Sequence, residues 1–368
     1  MSKKTLTEEQ KYRKGSRIRL ILIFVIIAAI AGVGAAGAKA FYHQAEKKIQ
    51  EKLANFDYVS LEGKDLDIDE RVNEQLADYR NILLIGIDAR ENQKAENCRS
   101  DAMVIMTINK KTNDMFLTSI MRDTFLELEE GGSYKVLDKL THAHVYGGPV
   151  NTIRAINRNL DLNITGYMRV NWRTVADISD AFGGVTVNIK DYEIDEMNKY
   201  IKDTNKNLHG DTTQIKKAGK QTLNGIQTVT YCRIRKVGNG DVERTKRMRR
   251  VVKQLIKKAA TMDLKTLSDT ADQVLPQIQT SIDPEDMMSL LKRYRAYEVA
   301  KSSKWPYKYS GLMIDNGRGQ KLWYDVPITL ESNVIKLHEK VFNQKDYEPT
   351  ERVQKINQQI VQKSSGAR

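Results

Sequence analysis

The sequence predicts an α/β protein: a single-pass amino-terminal transmembrane helix followed by one extracellular α/β/α domain with a central mixed β-sheet. An uncharged run near the amino terminus predicts the helix, and short apolar segments of strand type that alternate with segments of helix type predict the domain. The 368 residues are 40% hydrophobic and 29% charged, which excludes fibrous and wholly disordered classes. Two cysteines exclude a disulfide scaffold and a cysteine zinc ribbon.

The amino-terminal segment has the pattern of a signal anchor. Residues 1–19 are basic, and residues 20–38 carry no charge and would span about 28 Å as a helix, close to the thickness of a bilayer core. Basic residues before the run place the amino terminus in the cytosol and the remainder outside the cell, a type II topology. A signal peptide cleaved near Ala38-Lys39-Ala40 is the alternative.

The net charge of +13 invites a nucleic-acid partner, but its distribution argues against one. Residues 1–40 hold six of these charges, beside the predicted membrane lipid. We therefore predict no nucleic-acid binding. The predicted organisation is a cytoplasmic tail (1–19), an anchor (20–38), a stalk (39–75), a catalytic domain (76–345) and a polar carboxy-terminal tail (346–368).

The elements of the domain follow from hydrophobic spacing. Residues 81–88 form an apolar run typical of a strand buried on both faces, and residues 102–109 and 115–120 predict a hairpin closed by a polar turn. The remaining predictions are helices at 150–160, 172–182, 223–231 and 242–262, strands at 164–170 and 185–189, and a long surface loop at 190–220.

Sequence motifs of familiar enzymes are missing. The chain has no P-loop, no zinc-protease motif, no nucleophile elbow and no dinucleotide-binding fingerprint opening a helix after a strand. His142 and His144 lack an obvious third metal ligand, so a structural or surface role is favoured for both.

Acidic residues stand at the ends of the predicted strands. Asp88 follows the first strand and Asp101 opens the second, and the ends of buried strands are where α/β sheets commonly bind ligands. Two adjacent carboxylates repel unless a cation lies between them, and their oxygens suit Mg²⁺. The alternative is a turn-forming Asp88 and a salt-bridged Asp101.

Arginines occupy similar positions. Arg122 and Asp123 end the third strand, and the 242–262 helix places Arg244 within its apolar face, Arg247 at the edge of that face and Arg249 among the solvated residues. A buried arginine needs an anion, and a guanidinium matches phosphate bidentately. Either a pyrophosphate or a protein carboxylate fills that role, and Asp241 is a candidate helix cap.

Six segments in this order resemble the LytR-CpsA-Psr family of cell-wall glycopolymer ligases. They are NILLIGIDAR (81–90), CRSDAMVIMTINKKT (98–112), LTSIMRDT (117–124), AFGGVTVNI (181–189), GKQTLNGIQTVTYCRIRK (219–236) and GDVERTKRMRR (240–250). The resemblance covers roughly residues 76–262 well and the region after about 262 only loosely.

The resemblance implies a phosphotransferase in a Gram-positive envelope. It would move teichoic acid, capsular or another wall polysaccharide from a polyprenyl-phosphate or -pyrophosphate donor to peptidoglycan, with Mg²⁺ or Mn²⁺, on the outer face of the membrane. The implied metal ligands are Asp88 and Asp101, and the implied pyrophosphate ligands are Arg99, Arg122, Arg233, Arg235, Arg244 and Arg247. Arg122, Asp123 and Asp241 are the candidate catalytic residues, with the proton acceptor left open between Asp123 and Asp241.

Several alternatives remain open beside this resemblance. Met248 stands where the family usually has glutamine, which puts the donor preference in doubt. Cys98 and Cys232 neighbour motif arginines, so we expect either a disulfide between them or two buried thiols. A polyprenyl-pyrophosphate hydrolase, or a non-catalytic envelope regulator or anchor, is the functional alternative.

Overall fold

A computed structural model describes residues 57–89, 94–132, 134–261, 274, 277–292 and 297–367. The predicted anchor lies outside these residues, and no helix within them has the length and apolar character to cross a membrane. The chain divides into two compact units. We call residues 61–169, 241–249 and 298–368 the sheet unit, and residues 1–60, 170–240 and 250–297 the helical unit.

The sheet unit is built on strands that lie side by side in the order β7-β2-β3-β4-β11. Their bounds are β2 Tyr79–Ile87, β3 Ser100–Asn109, β4 Asp114–Ile120, β7 Ile164–Asn171 and β11 Glu298–Trp305. Strands β2 and β3, and β3 and β4, pair antiparallel, whereas β4 and β11 pair parallel. The predicted mixed sheet is therefore confirmed.

The hairpin and the first buried strand also agree with the sequence. Strand β2 buries Ile82, Leu83 and Ile85, as the apolar run predicts. The β3–β4 turn contains Asn113 at φ 62°, in the left-handed region that asparagine tolerates better than most residues.

Helices and two ribbons complete the sheet unit. They are α1 Glu70–Gln75, the antiparallel pair β5 Phe125–Glu130 and β6 Tyr134–Lys139, α2 Leu140–Leu160, the antiparallel ribbon β12 Tyr309–Asp315 and β13 Lys321–Pro327, α8 Leu330–Phe342 and α9 Glu351–Ser364. Helix α2 is kinked at Gly147 and Gly148, and Gly148 has φ +66°. That φ suits glycine, and Pro149 then begins the second half with a φ already helical.

The segment 346–368, predicted from the sequence as a polar tail, contains helix α9. Val353, Ile356 and Ile360 are buried at helical spacing, and the other faces of the helix carry polar residues. Thr350 caps the helix, and Arg352 Nη1 donates to Asp67 Oδ1 at 2.5 Å. The high polar content hid the narrow apolar stripe.

The helical unit holds the remaining elements. They are β1 Asp57–Tyr58, α3 Trp172–Ala181, β8 Val185–Ile189, α4 Asp191–Asn207, β9 Gly219–Leu223, α5 Gly225–Arg233, β10 Gln279–Thr280 and α7 Pro284–Lys292. Helix α6, Gly240–Ala259, contributes residues 241–249 to the sheet unit and its carboxy-terminal half to the helical unit. Buried Ala176, Leu208 and Val229 pack together in the helical unit.

The prediction of a loop at 190–220 is wrong over its first half, which is helix α4. The Glu193 side chain accepts from the Lys190 backbone N–H at 2.9 Å and closes the helix start. Met197 and Ile201 are buried one turn apart. Few apolar residues are needed to hold this helix, so its periodicity is weak in the sequence.

Gly225 allows a close approach of helices α3 and α5. A Cβ atom at this position would lie 2.2 Å from the Ala176 carbonyl oxygen, which is backbone and cannot swing away.

We expect Gly225→Ala to lower the free energy of unfolding by about 1–3 kcal/mol through overpacking. Urea unfolding measures the change. Gly366→Ala, which has open space around it, is the matched control, and equal stability of both variants would contradict the packing described here.

Candidate active site

The β3–β4 hairpin brings the first acid and the first arginine of the site together. Antiparallel pairing sets Met103 opposite Ile120, so the start of β3 lies beside the end of β4. Arg122 Nη1 donates to Asp101 Oδ1 in a very short ion pair, and Arg122 Nε lies 3.6 Å from Asp123 Oδ2. The salt-bridged Asp101 that we considered as an alternative is thus present.

The start of helix α2 fixes the Arg122–Asp123 turn. The Thr141 backbone N–H donates to the Arg122 carbonyl oxygen at 2.9 Å, and the Thr141 hydroxyl donates to the Ser100 carbonyl oxygen at 2.9 Å. Lys139 Nζ lies 3.3 Å from Asp123 Oδ1. The turn is held from both strands and from the helix, so its side chains are preorganised.

Helix α6 supplies the second arginine. Arg244 is 4% exposed, and its Nη2 lies 2.9 Å from Asp241 Oδ1 and 3.3 Å from the Asp101 carbonyl oxygen. The predicted inward position of Arg244 is confirmed, and Arg247 at the predicted edge is fully buried. We call Asp101, Arg122, Asp123, Asp241 and Arg244 the acid–arginine cluster.

The solvated position predicted for Arg249 is wrong, because this residue is 8% exposed. The preceding Arg247 and Met248 are buried as well. The first half of α6 is therefore covered on more than one side, and a helix wheel with a single solvent face does not describe it.

The charged groups of the acid–arginine cluster interact electrostatically. Burial alone would lower the pKa of Arg122, but the charges of Asp101, Asp123 and Asp241 outweigh burial and raise it. The charges of the three carboxylates therefore keep the Arg122 guanidinium cationic.

The charges of the predicted metal ligands act on a buried thiol. Burial raises the pKa of Cys98 against the opposing charge of Arg169, and the charges of Asp88, Glu96 and Asp101 raise it further. The carboxylate oxygens of Asp88 and Asp101 suit a hard divalent cation that keeps several waters. Within the described part of the chain no three His, Cys, Asp or Glu side chains form a metal-binding group.

The other predicted residues have separate environments. Arg99 is exposed in the sheet unit. Arg233 and Arg235 belong to the helical unit, where Arg233 Nη2 donates to Asp203 Oδ2 at 2.7 Å and Arg235 is partly buried. Their roles in phosphate binding stay predictions.

The cysteines and histidines adopt structural arrangements. Cys98 and Cys232 are buried thiols, which matches the second of the two expectations, and the disulfide stays a prediction for oxidised protein. His144 Nδ1 hydrogen-bonds to the Cys98 carbonyl oxygen at 2.7 Å, and burial lowers its pKa to about 4. His142 Nδ1 pairs with Asp138 Oδ2 at 2.7 Å.

Arg169 on β7 is a buried arginine of the sheet unit that sequence reasoning missed. It is 6% exposed, and its Nη2 donates to Glu96 Oε1 at 3.3 Å. Its Nη1 is buried without a hydrogen-bonding partner among the described residues. A single arginine inside the strand pattern ITGYMRVN was the available signal, since an unsatisfied buried guanidinium is costly without an anion.

Asp325 on β13 is the second missed residue, and it comes from the loosely matching carboxy-terminal region. Its backbone N–H donates to the Asp123 carbonyl oxygen at 2.9 Å, and it forms an isolated parallel bridge with Thr124. Burial, together with the charges of Asp123 and Asp241, raises its pKa to about 6 against the opposing effects of Trp323 and Lys139. No local motif marks it.

The raised pKa of Asp325 predicts that its ionised carboxylate destabilises the fold. The folded protein binds this proton more tightly than the unfolded chain, so the contribution of Asp325 to stability falls as pH rises from about 4 to about 6. The free energy of unfolding of Asp325→Asn, taken relative to that of wild type, should rise by up to about 3 kcal/mol from pH 4 to pH 8. Urea unfolding at both pH values measures this gain, with the exposed Asp315→Asn as control. A pH-independent difference would contradict it.

Comparison with known proteins identifies the family of this chain. The LytR_cpsA_psr family model matches residues 38–325. A Bacillus cereus protein named polyisoprenyl-teichoic acid–peptidoglycan teichoic acid transferase TagU is 29% identical over 271 residues, which are 73% of this chain and 82% of that protein. The Bacillus subtilis TagT transferase is 27% identical over 310 residues, 82% of this chain and 89% of that protein.

Solved structures show the same fold. A structure described as TagT bound to LI-WTA has a TM-score of 0.59 at 24% identity and covers 78% of this chain and 98% of its own. A family member described with bound octaprenyl pyrophosphate lipid has a TM-score of 0.56 at 22% identity and covers 77% of this chain and 100% of its own. From the match over most of its length, we conclude that this chain belongs to the LytR-CpsA-Psr family.

Proposed function

We propose that this protein is a phosphotransferase that attaches a glycopolymer from a polyprenyl-phosphate or -pyrophosphate donor to peptidoglycan. The acid–arginine cluster is the observation that carries the proposal, because it holds the partly buried guanidinium of Arg122 and the buried guanidinium of Arg244 at one site. The transferase names of TagU and TagT and the lipid-bound relative support it. The polymer is teichoic acid, capsular or another wall polysaccharide.

The arginines act by binding phosphate oxygens. Arg122 and Arg244 are held by carboxylates before substrate arrives, so little reorganisation accompanies the development of negative charge on the donor. A guanidinium presents paired N–H groups that match phosphate geometry. The unsatisfied Nη1 of Arg169 is a further donor in the same unit.

The reaction is a displacement at phosphorus. With the pyrophosphate donor, the oxygen of a peptidoglycan hydroxyl forms a bond to the sugar-side phosphorus, and the bond from that phosphorus to the polyprenyl phosphate oxygen breaks. Polyprenyl phosphate leaves with the electron pair, and the hydroxyl proton passes to a carboxylate of the site.

Asp88 and Asp101 are the residues that would hold Mg²⁺ or Mn²⁺. When bound, a divalent cation there would offset charge on the donor oxygens. Asp101 also orients Arg122 through their ion pair, so its side chain serves both the cation and the guanidinium.

The proposed place of the reaction is the outer face of the cell membrane. Residues 20–38 would anchor the chain in a single-pass type II topology, with the basic residues 1–19 in the cytosol. Both substrates are then within reach, because the polyprenyl chain lies in the membrane and peptidoglycan lies outside it.

The direct test uses a radiolabelled polyprenyl-pyrophosphate saccharide, peptidoglycan sacculi and the full-length protein in detergent. We expect label on the sacculi and release of polyprenyl phosphate. Arg122→Ala should lower the rate at least about 100-fold, the usual cost of removing one donor to a developing oxyanion. The exposed Arg173→Ala variant is the matched control and should keep the wild-type rate.

The products separate this proposal from its alternatives. Free saccharide in solution, with sacculi unlabelled, would assign a hydrolase. Neither product from well-folded wild-type protein would contradict catalysis and favour an envelope regulator or anchor.

A further inference from the structure

One face of the β12–β13 ribbon carries an exposed aromatic ring next to a buried acid. Side chains alternate along a strand, so Trp323 and Asp325 project from the same face of β13. Trp323 is 52% exposed, whereas Asp325 is 6% exposed. The ribbon register sets Gly311 opposite Asp325 and Met313 opposite Trp323.

Gly311 provides the place where the indole ring lies. A Cβ atom on Gly311 would lie 1.9 Å from Trp323 Cζ2, so the ring covers the bare backbone directly across from Asp325. The outer side of the ring faces solvent, and the neighbouring Met313 is 49% exposed. A flat, exposed indole is a surface on which the C–H groups of a sugar ring can stack.

The ribbon is attached to the acid–arginine cluster through the backbone. The Asp325 N–H donates to the Asp123 carbonyl oxygen, and Thr124 bridges to Asp325. The carboxylates of Asp123 and Asp241 are near enough to raise the pKa of Asp325. This face therefore continues the surface of the site within the sheet unit.

Asp325 differs from the other acids in its partners. Asp101 is paired with Arg122, Asp123 lies 3.3 Å from Lys139 Nζ, and Asp241 lies 2.9 Å from Arg244. Each is engaged in holding a cation. Among the residues that the structure describes, Asp325 has no ion-pair partner within 4.0 Å.

We propose that the β12–β13 ribbon is the acceptor subsite, in which the Trp323 indole stacks on a sugar ring of the acceptor glycan and the Asp325 carboxylate takes the proton of its attacking hydroxyl. This inference rests on the proposed function and selects a proton acceptor for it. The hydroxyl O–H bond breaks as its oxygen bonds to phosphorus, the proton goes to a carboxylate oxygen of Asp325, and polyprenyl phosphate departs with the electrons of the broken P–O bond.

The charged and titratable groups facing Asp325 set its pH response. They are Asp123 after β4, Lys139 at the end of β6, Asp241 on α6, Lys304 on β11 and Tyr309 on β12. Burial is the largest of the causes that raise the pKa of Asp325 to about 6, and the charges of Asp123 and Asp241 are part of that rise. The carboxylate accepts a proton only when ionised, so transfer should rise with pH through about 6.

The first experiment measures transfer and donor binding separately in Asp325→Asn, Asp325→Glu and the control Asp315→Asn, using a polyprenyl-pyrophosphate disaccharide and purified glycan strands. Asp325→Asn should lose about 10²–10⁴-fold in transfer rate, keep its donor Kd within about twofold and lose the rise near pH 6. Asp325→Glu should restore part of the rate and the pH dependence, and Asp315→Asn should resemble wild type.

The second experiment tests the indole. Trp323→Ala should raise KM for the glycan strand about 10-fold. It should also move the rise of kcat to higher pH, because the side-chain hydrogen bond from Trp323 lowers the pKa of Asp325. Trp323→Phe should recover part of the KM loss but not the pH shift. Tyr134→Ala removes an aromatic side chain that is 70% exposed elsewhere on the sheet unit and should leave KM unchanged.

The outcomes that overturn the proposal are distinct from failure of the proposed function. If Asp325→Asn transfers the saccharide at the wild-type rate and with the wild-type pH profile, Asp325 is not the proton acceptor. Loss of donor binding together with transfer in this variant would assign Asp325 to supporting the Arg122 turn instead, and would equally overturn the proposal. Absence of transfer in wild-type protein would contradict the proposed function itself.

Discussion

The site depends on one constraint: the Arg122 guanidinium is partly buried and must remain surrounded by carboxylates. Asp101 approaches it from strand β3, Asp123 follows it in the turn after β4, and Asp241 adds charge from helix α6. The hairpin register, the start of helix α2 and the amino-terminal half of α6 all serve to bring these groups together. Because a buried unpaired charge is costly, this arrangement fixes the arginine before any phosphate arrives.

The carboxylates of the acid–arginine cluster raise the pKa of a neighbouring acid. Asp123 and Asp241 are paired with nearby cations, but burial and the charges of these two acids still raise the pKa of Asp325. The same arrangement that orients the arginines thus leaves one acid with a raised pKa. Stability is given up at this position, which is common where a group must react near neutral pH.

Hydrophobic spacing in the sequence correctly predicted those features that depend on neighbouring residues in the chain. The buried strand β2, the β3–β4 hairpin and the inward Arg244 each follow from spacing within a few residues. Asp325 could not be predicted in this way, because it reaches Asp123 through pairing between segments about 200 residues apart in the sequence. Helices α4 and α9 were missed because narrow apolar stripes suffice once neighbouring elements cover them.

The most direct measurement is native mass spectrometry with lipid extraction on full-length protein purified in mild detergent, wild type beside Arg122→Ala. It requires no assumption about the sugar or the acceptor. The account predicts a polyprenyl phosphate or pyrophosphate species on wild-type protein and its loss from the variant. Equal lipid on both proteins, or none on folded wild type supplied with polyprenyl pyrophosphate, would contradict the claim that Arg122 holds the donor.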